Sequence, residues 1–124
     1  MDKLTPSDNL WLLAMGTGIT PIRPVIEYLL ANPGRVKEIH LYFGCRDRGV
    51  IPFAADLERW EEAGVKVRLV ISSEMKIHVQ QQFAKDHPKA SGIIFACGNK
   101  EMIAEVKAAA DACGIGAANV FQNF

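Results

Sequence analysis

The sequence predicts an α/β fold: a doubly wound, five-stranded parallel sheet of strand order 3-2-1-4-5 with helices on both faces. Short apolar runs rich in branched and aromatic residues alternate with segments of helical periodicity, which is typical of repeated strand-helix units. The 124 residues suffice for one domain with its own core but not for two. We therefore expect a single domain over residues 1–124, with a ligand crevice at the carboxyl ends of the strands.

The strands are predicted from five apolar runs that stand between turn signals. They cover residues 10–15, 38–43, 65–71, 92–96 and about 119–124. The first helix is expected to start between Pro21 and Pro24, because two prolines compete for its first turn, and to stop at Asn32. Its exact start stays open at this point.

The remaining connections carry their own start and stop signals. Pro52 suits the first turn of the second helix, and Gly64 ends that helix. The connection over residues 76–87 is the least regular of the four. Asn99 is expected to cap the last helix, with Gly114 as its left-handed terminator.

Composition and charge exclude several classes of function. The 14 basic and 14 acidic residues cancel, so no net positive field draws the chain to nucleic acid. Cys45, Cys97 and Cys113 match neither CxxC pairs nor zinc spacing, so we expect no metal site and free thiols in a reducing compartment. The apolar run at residues 10–15 is too short to span a bilayer, which favours a soluble protein without membrane contact.

A glycine-containing turn follows the first predicted strand and reads Gly16-Thr17-Gly18-Ile19-Thr20-Pro21. Its glycines let the backbone approach a pyrophosphate, and free amides at the helix start carry partial positive charge. Pro21 replaces the third glycine of the common dinucleotide fingerprint, and Tyr42 and Arg46 stand where an acidic ribose ligand is usual. The alternative is a strand-to-helix turn that needs glycine for geometry alone.

A second turn occupies the equivalent place after the fourth strand. It reads Cys97-Gly98-Asn99-Lys100-Glu101-Met102. Both turns should therefore lie at one edge of the sheet, where one ligand can bridge them. Cys97 taken alone is more typical of a small buried apolar residue than of a reactive thiol.

These motifs recur in order along nearly the whole chain. They are Gly16 to Pro21, Tyr42 to Arg46, Ile71-Ser72-Ser73-Glu74, Cys97-Gly98 with Met102, and an aromatic C-terminal end. Together they resemble the NAD(P)-binding domain of the ferredoxin-NADP reductase family. The family's flavin domain has no counterpart in this sequence.

The resemblance implies roles for individual residues. The Thr17 hydroxyl would lie near the nicotinamide ribose or ring and Cys97 beside the nicotinamide, so these two are the candidate catalytic residues, acting by position. Arg46 would reach the ribose or pyrophosphate, and Phe124 would face the flavin ring unless it simply packs in the core. The predicted cofactor site comprises Gly16, Thr17, Gly18, Thr20, Pro21, Arg46, Ser72, Ser73, Lys76, His78, Cys97, Gly98, Asn99, Met102 and Phe124.

The choice of nicotinamide cofactor depends on the segment after the third strand. NADP-dependent relatives have Ser-Arg there, followed by a basic residue and an aromatic, whereas this chain has Ser72-Ser73, Lys76 and His78. The missing arginine removes a bidentate phosphate contact, but Lys76 and the hydroxyls still offer a point charge and hydrogen bonds. NADP(H) is therefore narrowly preferred over NAD(H).

The reaction implied by the resemblance is hydride transfer between the nicotinamide and FAD or FMN held by another domain or subunit. The chain would then be part of an NAD(P)H-dependent flavin oxidoreductase and inactive alone, with a flavin-binding partner and an unidentified redox acceptor. The alternative is a non-catalytic regulatory or assembly module that keeps the nucleotide-binding fold. Ser73 and the absent flavin domain favour this alternative, and the glycine turn and Cys97-Gly98 oppose it.

Overall fold

The computed structural model describes residues 8–47, 49 and 51–122. Within this part of the chain, five strands form one sheet in the order β3-β2-β1-β4-β5, and all four pairings are parallel. The strands are β1 (Asn9–Met15), β2 (Glu38–Cys45), β3 (Lys66–Ile71), β4 (Ile93–Cys97) and β5 (Val120–Phe121). The predicted fold class and strand order are confirmed. Phe124, placed in the last strand by the sequence pattern, lies outside the described residues.

Helices cover both faces of the sheet. They are α1 (Ile19–Ala31), α2 (Ala54–Glu62), α3 (Ser72–Met75), α4 (Val79–Asp86) and α5 (Lys100–Cys113). Side chains alternate along β1, so that Leu12 packs in the core under α1 and α2 while Leu13 packs in the core under α4 and α5. Trp60 of α2 and Phe83 of α4 are fully buried in these two cores.

The start of α1 differs from the prediction that a proline opens the helix. A 3-10 turn over Gly16–Gly18 runs directly into α1, which begins at Ile19. Pro21 lies in the first turn, where backbone N–H groups have no intrahelical acceptor, so its missing N–H costs nothing there. Pro24 stands inside the helix and removes the bond that residue 24 would donate to the Thr20 carbonyl.

The start of α2 also differs from the prediction. Pro52 lies in the turn before the helix, and the helix begins at Ala54. The residue between them, Phe53, has a left-handed φ of 58°, which interrupts the helical path from Pro52. The connection over residues 76–87, predicted to be the least regular, contains α4, and Ser72 and Ser73 lie in the short helix α3 that directly follows β3.

The ends of the first four strands differ from the prediction by no more than two residues, and the last strand ends at Phe121 instead of about residue 124. β2 continues to Cys45, two residues beyond its predicted end, because Gly44 still pairs with Met15 of β1 and Val70 of β3. The last strand is short, and β4 runs to Cys97. The first predicted ligand-binding turn therefore begins directly after Met15, and the second begins at Cys97, the last residue of β4.

The predicted ends of the last helix are confirmed. The Asn99 side chain accepts a hydrogen bond from the Met102 backbone N–H at 2.8 Å, which satisfies one of the free amides of the first turn of α5. Gly114 follows the helix with a left-handed φ of 101°, a conformation that glycine adopts without penalty.

Candidate functional site

Gly16 leaves its backbone open to a ligand at the end of β1. Its φ is +58°, and a Cβ added there would have no heavy atom within 4 Å. Thr17 and Thr20 beside it are exposed. The first turn therefore offers amides and two hydroxyls to solvent, with the N-terminus of α1 directly behind it.

Gly18 brings the two predicted turns into contact. A Cβ added at Gly18 would lie 2.3 Å from the carbonyl oxygen of Cys97, so only glycine fits. Gly98 is equally crowded on its other side, where a Cβ would lie 2.1 Å from the Sδ of Met102. The turns after β1 and β4 are thus adjacent at the carboxyl edge of the sheet.

An apolar cavity of about 390 Å³ lies where β1, β2 and β3 end beneath the start of α4. Met15, Val70, Ile77 and Val79 form its apolar walls, and Gly16 lines its rim. Gly44 makes the cavity possible, because a Cβ at that position would come within 2.9 Å of Cγ1 of Val79. The volume and lining suit a flat heterocyclic group.

A second cavity, of about 470 Å³, is polar and opens beside the first. It is lined by Arg46, Ser72, Ser73, Lys76, Ile77 and His78. The ends of β2 and β3 are joined here, since the Ser73 N–H donates to the Arg46 carbonyl at 3.0 Å. Five residues predicted from separate parts of the sequence therefore share one cavity, in which two fixed cations and two hydroxyls provide the chemistry of an anion site.

A third cavity, of about 480 Å³, lies on the other side of the Gly16 turn. Thr17, Thr20, Pro52 and Phe53 contribute to its largely apolar wall. The glycine turn thus borders a cavity on each of its sides. The cavity beneath α4 shares Arg46, Ser72, Ile77 and His78 with the polar cavity, whereas the third cavity shares Arg46 with it.

Cys97 is half-buried, and burial raises the pKa of its thiol. The thiol is therefore protonated at neutral pH and is a poor nucleophile. No cluster of three His, Cys, Asp or Glu side chains that would hold a metal occurs among residues 8–47, 49 and 51–122. Phe124, the remaining predicted site residue, lies outside the described part of the chain.

The sequence did not reveal an aromatic cluster beneath α4. The His40 ring stacks on Trp11 with centroids 4.1 Å apart, and His87 lies 4.5 Å from the same indole. Burial lowers the pKa of His40, an effect opposed by its hydrogen bond with Glu38 at 3.2 Å. The only sequence signal is that His40 and Tyr42, two residues apart, share one face of β2.

Comparison with known proteins identifies the family. The sequence model of the family described as "Oxidoreductase NAD-binding domain" matches residues 12–108 of this chain. The chain belongs to this family. The resemblance to ferredoxin-NADP reductases inferred from the sequence is thereby confirmed, and the two glycine turns, which fall inside the matched region, lie at the edge where this fold class binds its ligands.

Two similar curated proteins are much longer oxidoreductases. Nitrate reductase [NADH] 2 of Arabidopsis thaliana is 27% identical over 110 residues, which cover 78% of this chain and 12% of that protein. NADPH oxidoreductase A of Dictyostelium discoideum is 29% identical over 110 residues, or 80% of this chain and 17% of that protein. The chain thus spans less than a fifth of these relatives.

Solved reductases share the fold. A cytochrome P450 reductase from Amycolatopsis superposes over 98% of this chain and 38% of its own, with a TM-score of 0.81 and 21% identity. A ferredoxin NADP+ reductase from Neisseria gonorrhoeae, solved with bound FAD and NADP, superposes over 94% of this chain and 56% of its own length, with a TM-score of 0.74 and 15% identity.

Among the described residues, no helix has the length and hydropathy needed to cross a membrane.

Proposed function

We propose that the chain is the NAD(P)H-binding module of a flavin-dependent oxidoreductase. It positions the nicotinamide for hydride transfer to or from FAD or FMN held by another domain or subunit. The observation that carries this proposal is the open backbone of Gly16 beside the contact of Gly18 with Cys97. That arrangement provides a continuous path for one extended ligand along the carboxyl edge of the sheet.

The residues present fit a pyridine dinucleotide at three points. The apolar cavity beneath α4 suits the adenine, and the polar cavity beside it suits a phosphate on the adenosine ribose. The amides after Gly16 and the start of α1 suit the pyrophosphate. Because the polar cavity contains Lys76 and Ser72 and its lining includes no carboxylate, we infer a preference for NADP(H) over NAD(H).

Thr17 and Cys97 act by position in this proposal. The exposed Thr17 hydroxyl is available to the nicotinamide ribose or carboxamide, and the protonated Cys97 thiol offers a neutral, polarisable surface beside the ring. The nicotinamide supplies the hydride when it is bound, and the protein contributes orientation. No general base is required of this chain.

The flavin would come from a partner domain or subunit. The described residues form one five-stranded sheet with its covering helices. The curated relatives are much longer than this chain. The Neisseria reductase, whose structure holds both FAD and NADP, supports the pairing of this fold with a flavin. Alone, the chain would bind nucleotide and transfer no hydride, and its redox acceptor would bind elsewhere in the assembly.

Calorimetric titration of the whole chain with NADPH and with NADH tests the proposal. We expect binding of both, with tighter binding of NADPH. Gly16→Ala should weaken both, because it adds a methyl group at the ligand-facing turn. Gly34→Ala is the matched control, since Gly34 also has a positive φ (+89°) and open space around it but lies in the α1–β2 connection at the opposite edge of the sheet.

Two results would contradict the proposal. One is no binding of either nucleotide to a sample shown by circular dichroism to be folded. The other is equal weakening by the Gly16 and Gly34 substitutions, which would show that only backbone strain, and no ligand contact, is being measured. Both variants should lose about 1–2 kcal/mol of stability from the left-handed φ alone.

A further inference from the structure

Arg46 comes directly after β2 in the sequence but lies beside the segment that follows β3. It follows the last residue of β2, and its carbonyl accepts the Ser73 N–H at 3.0 Å. Arg46 lines the polar cavity together with Ser72, Lys76 and His78, and it also borders the apolar cavity and the cavity beside Thr17 and Thr20. The family pattern expects an arginine at position 73, where this chain has serine. Arg46, which follows a different strand, brings an arginine to the lining of the same cavity.

Among the residues that the structure describes, Arg46 forms no ion pair with a carboxylate. Three of the other arginines that the structure describes, Arg23, Arg59 and Arg68, pair with carboxylates. A fourth, Arg35, lies over the ring of Tyr28 at 5.7 Å. In the described part of the chain, Arg46 is the arginine with neither kind of partner. A guanidinium without a counter-charge beside a cavity is available to bind an anion.

The surroundings favour a phosphate monoester over the pyrophosphate. Lys76 and two serine hydroxyls line the same cavity, whereas Glu74 of the same segment does not. Lys76 is held toward it in a left-handed conformation with φ of 56°, and its N–H donates to the Ser72 carbonyl at 3.0 Å. The pyrophosphate has its own donors at Gly16 and the start of α1.

We propose that Arg46 determines selectivity for NADP(H) by binding the 2'-phosphate with Ser72 and Lys76. This replaces the expectation from the resemblance that Arg46 reaches the ribose or pyrophosphate. The inference rests on the proposed function and names the residue that sets its cofactor preference. A planar guanidinium presents two N–H groups to one phosphate, which an ammonium cannot do.

The test compares two isomers, 2'-AMP and 5'-AMP, by calorimetry on the full chain. The isomers have the same charge and size, so long-range electrostatic effects cancel in the ratio of their affinities. Arg46→Gln should weaken 2'-AMP about tenfold to a hundredfold, the range for a charge-assisted hydrogen bond, and 5'-AMP less than about threefold. Arg46→Lys should give an intermediate ratio of affinities, because lysine keeps the positive charge but does not present two parallel N–H groups to one phosphate.

Arg35→Gln is the matched control, because it removes the same charge from the α1–β2 connection, at the opposite edge of the sheet. It should leave the ratio of affinities unchanged. If Arg46→Gln weakens 5'-AMP as much as 2'-AMP, Arg46 serves the pyrophosphate and the inference is wrong. Unchanged affinities for both isomers also overturn it while leaving the proposed function intact. If folded wild-type protein binds neither isomer nor NADPH, the proposed function itself fails.

Discussion

The contact between Gly18 and Cys97 makes a quantitative prediction for Gly18→Ala. The new Cβ would lie 2.3 Å from the carbonyl oxygen and 2.9 Å from the carbonyl carbon of Cys97, whereas ordinary contacts begin near 3.4 Å. Because the opposing atoms are backbone, no side-chain rotation relieves the overlap. The first turn and the end of β4 must therefore separate by about 1 Å.

A displacement of this size has two expected effects. Overpacking in a well-packed region costs about 1–3 kcal/mol of unfolding free energy. The separation also moves the amides of the first turn away from the Cys97-Gly98 turn, so that one ligand no longer spans both. We expect NADPH affinity to fall by about tenfold or more, since a shift near 1 Å loses well-oriented contacts.

The assays are urea unfolding followed by tryptophan fluorescence, and calorimetric titration with NADPH. Gly49→Ala serves as the control, because a Cβ at Gly49 meets nothing within 4 Å and Gly49 has no left-handed φ. That variant should remain within about 0.5 kcal/mol of wild type. If Gly18→Ala proves as stable as the control and binds NADPH normally, the close approach of the two turns is not a structural requirement.

Two other predictions test neighbouring features of the structure. Gly98→Ala should cost about 1 kcal/mol or less in the same urea assay, because the atom it meets is the mobile Sδ of Met102; a loss as large as that of Gly18→Ala would show that this side chain is fixed. His40 has a pKa lowered by burial from its ordinary 6.5, so the unfolded chain binds the proton more readily, and stability should fall as the pH drops below about 6.5. His40→Gln should flatten this dependence below about pH 6.5, and an unchanged slope there would assign it to other groups.

The fold could be predicted from the sequence because the signals for its strands and helices lie in short stretches of neighbouring residues. The alternation of branched apolar runs with helical patterns fixes the element types, and Asn99 and Gly114 mark the ends of α5 by side-chain capping and left-handed geometry. The start of α1 did not follow, since the first turn of a helix tolerates proline at more than one position. Pro21 therefore gives an approximate boundary only.

The site followed from the sequence less completely. Both turns were located, because each follows a strand in the sheet and contains glycine. The resemblance put Arg46 in the predicted cofactor site, but its place beside Ser73 was not predicted, since it depends on a backbone hydrogen bond between residues 27 positions apart in sequence. The stacking of His40 and His87 on Trp11 likewise depends on how α4 lies across the sheet, which no local pattern encodes.

The two glycines of the first turn differ in what they say about the alternative of a non-catalytic regulatory or assembly module. Gly18 cannot distinguish the two hypotheses, because its contact with Cys97 requires glycine whether or not a ligand binds. Gly16 does distinguish them. A Cβ at position 16 would meet no heavy atom within 4 Å, so packing within the protein does not exclude a side chain there, although the positive φ favours glycine. Gly34 shares this geometry at the opposite edge of the sheet, so a difference between Gly16→Ala and Gly34→Ala in nucleotide binding would assign the open space at Gly16 to a ligand.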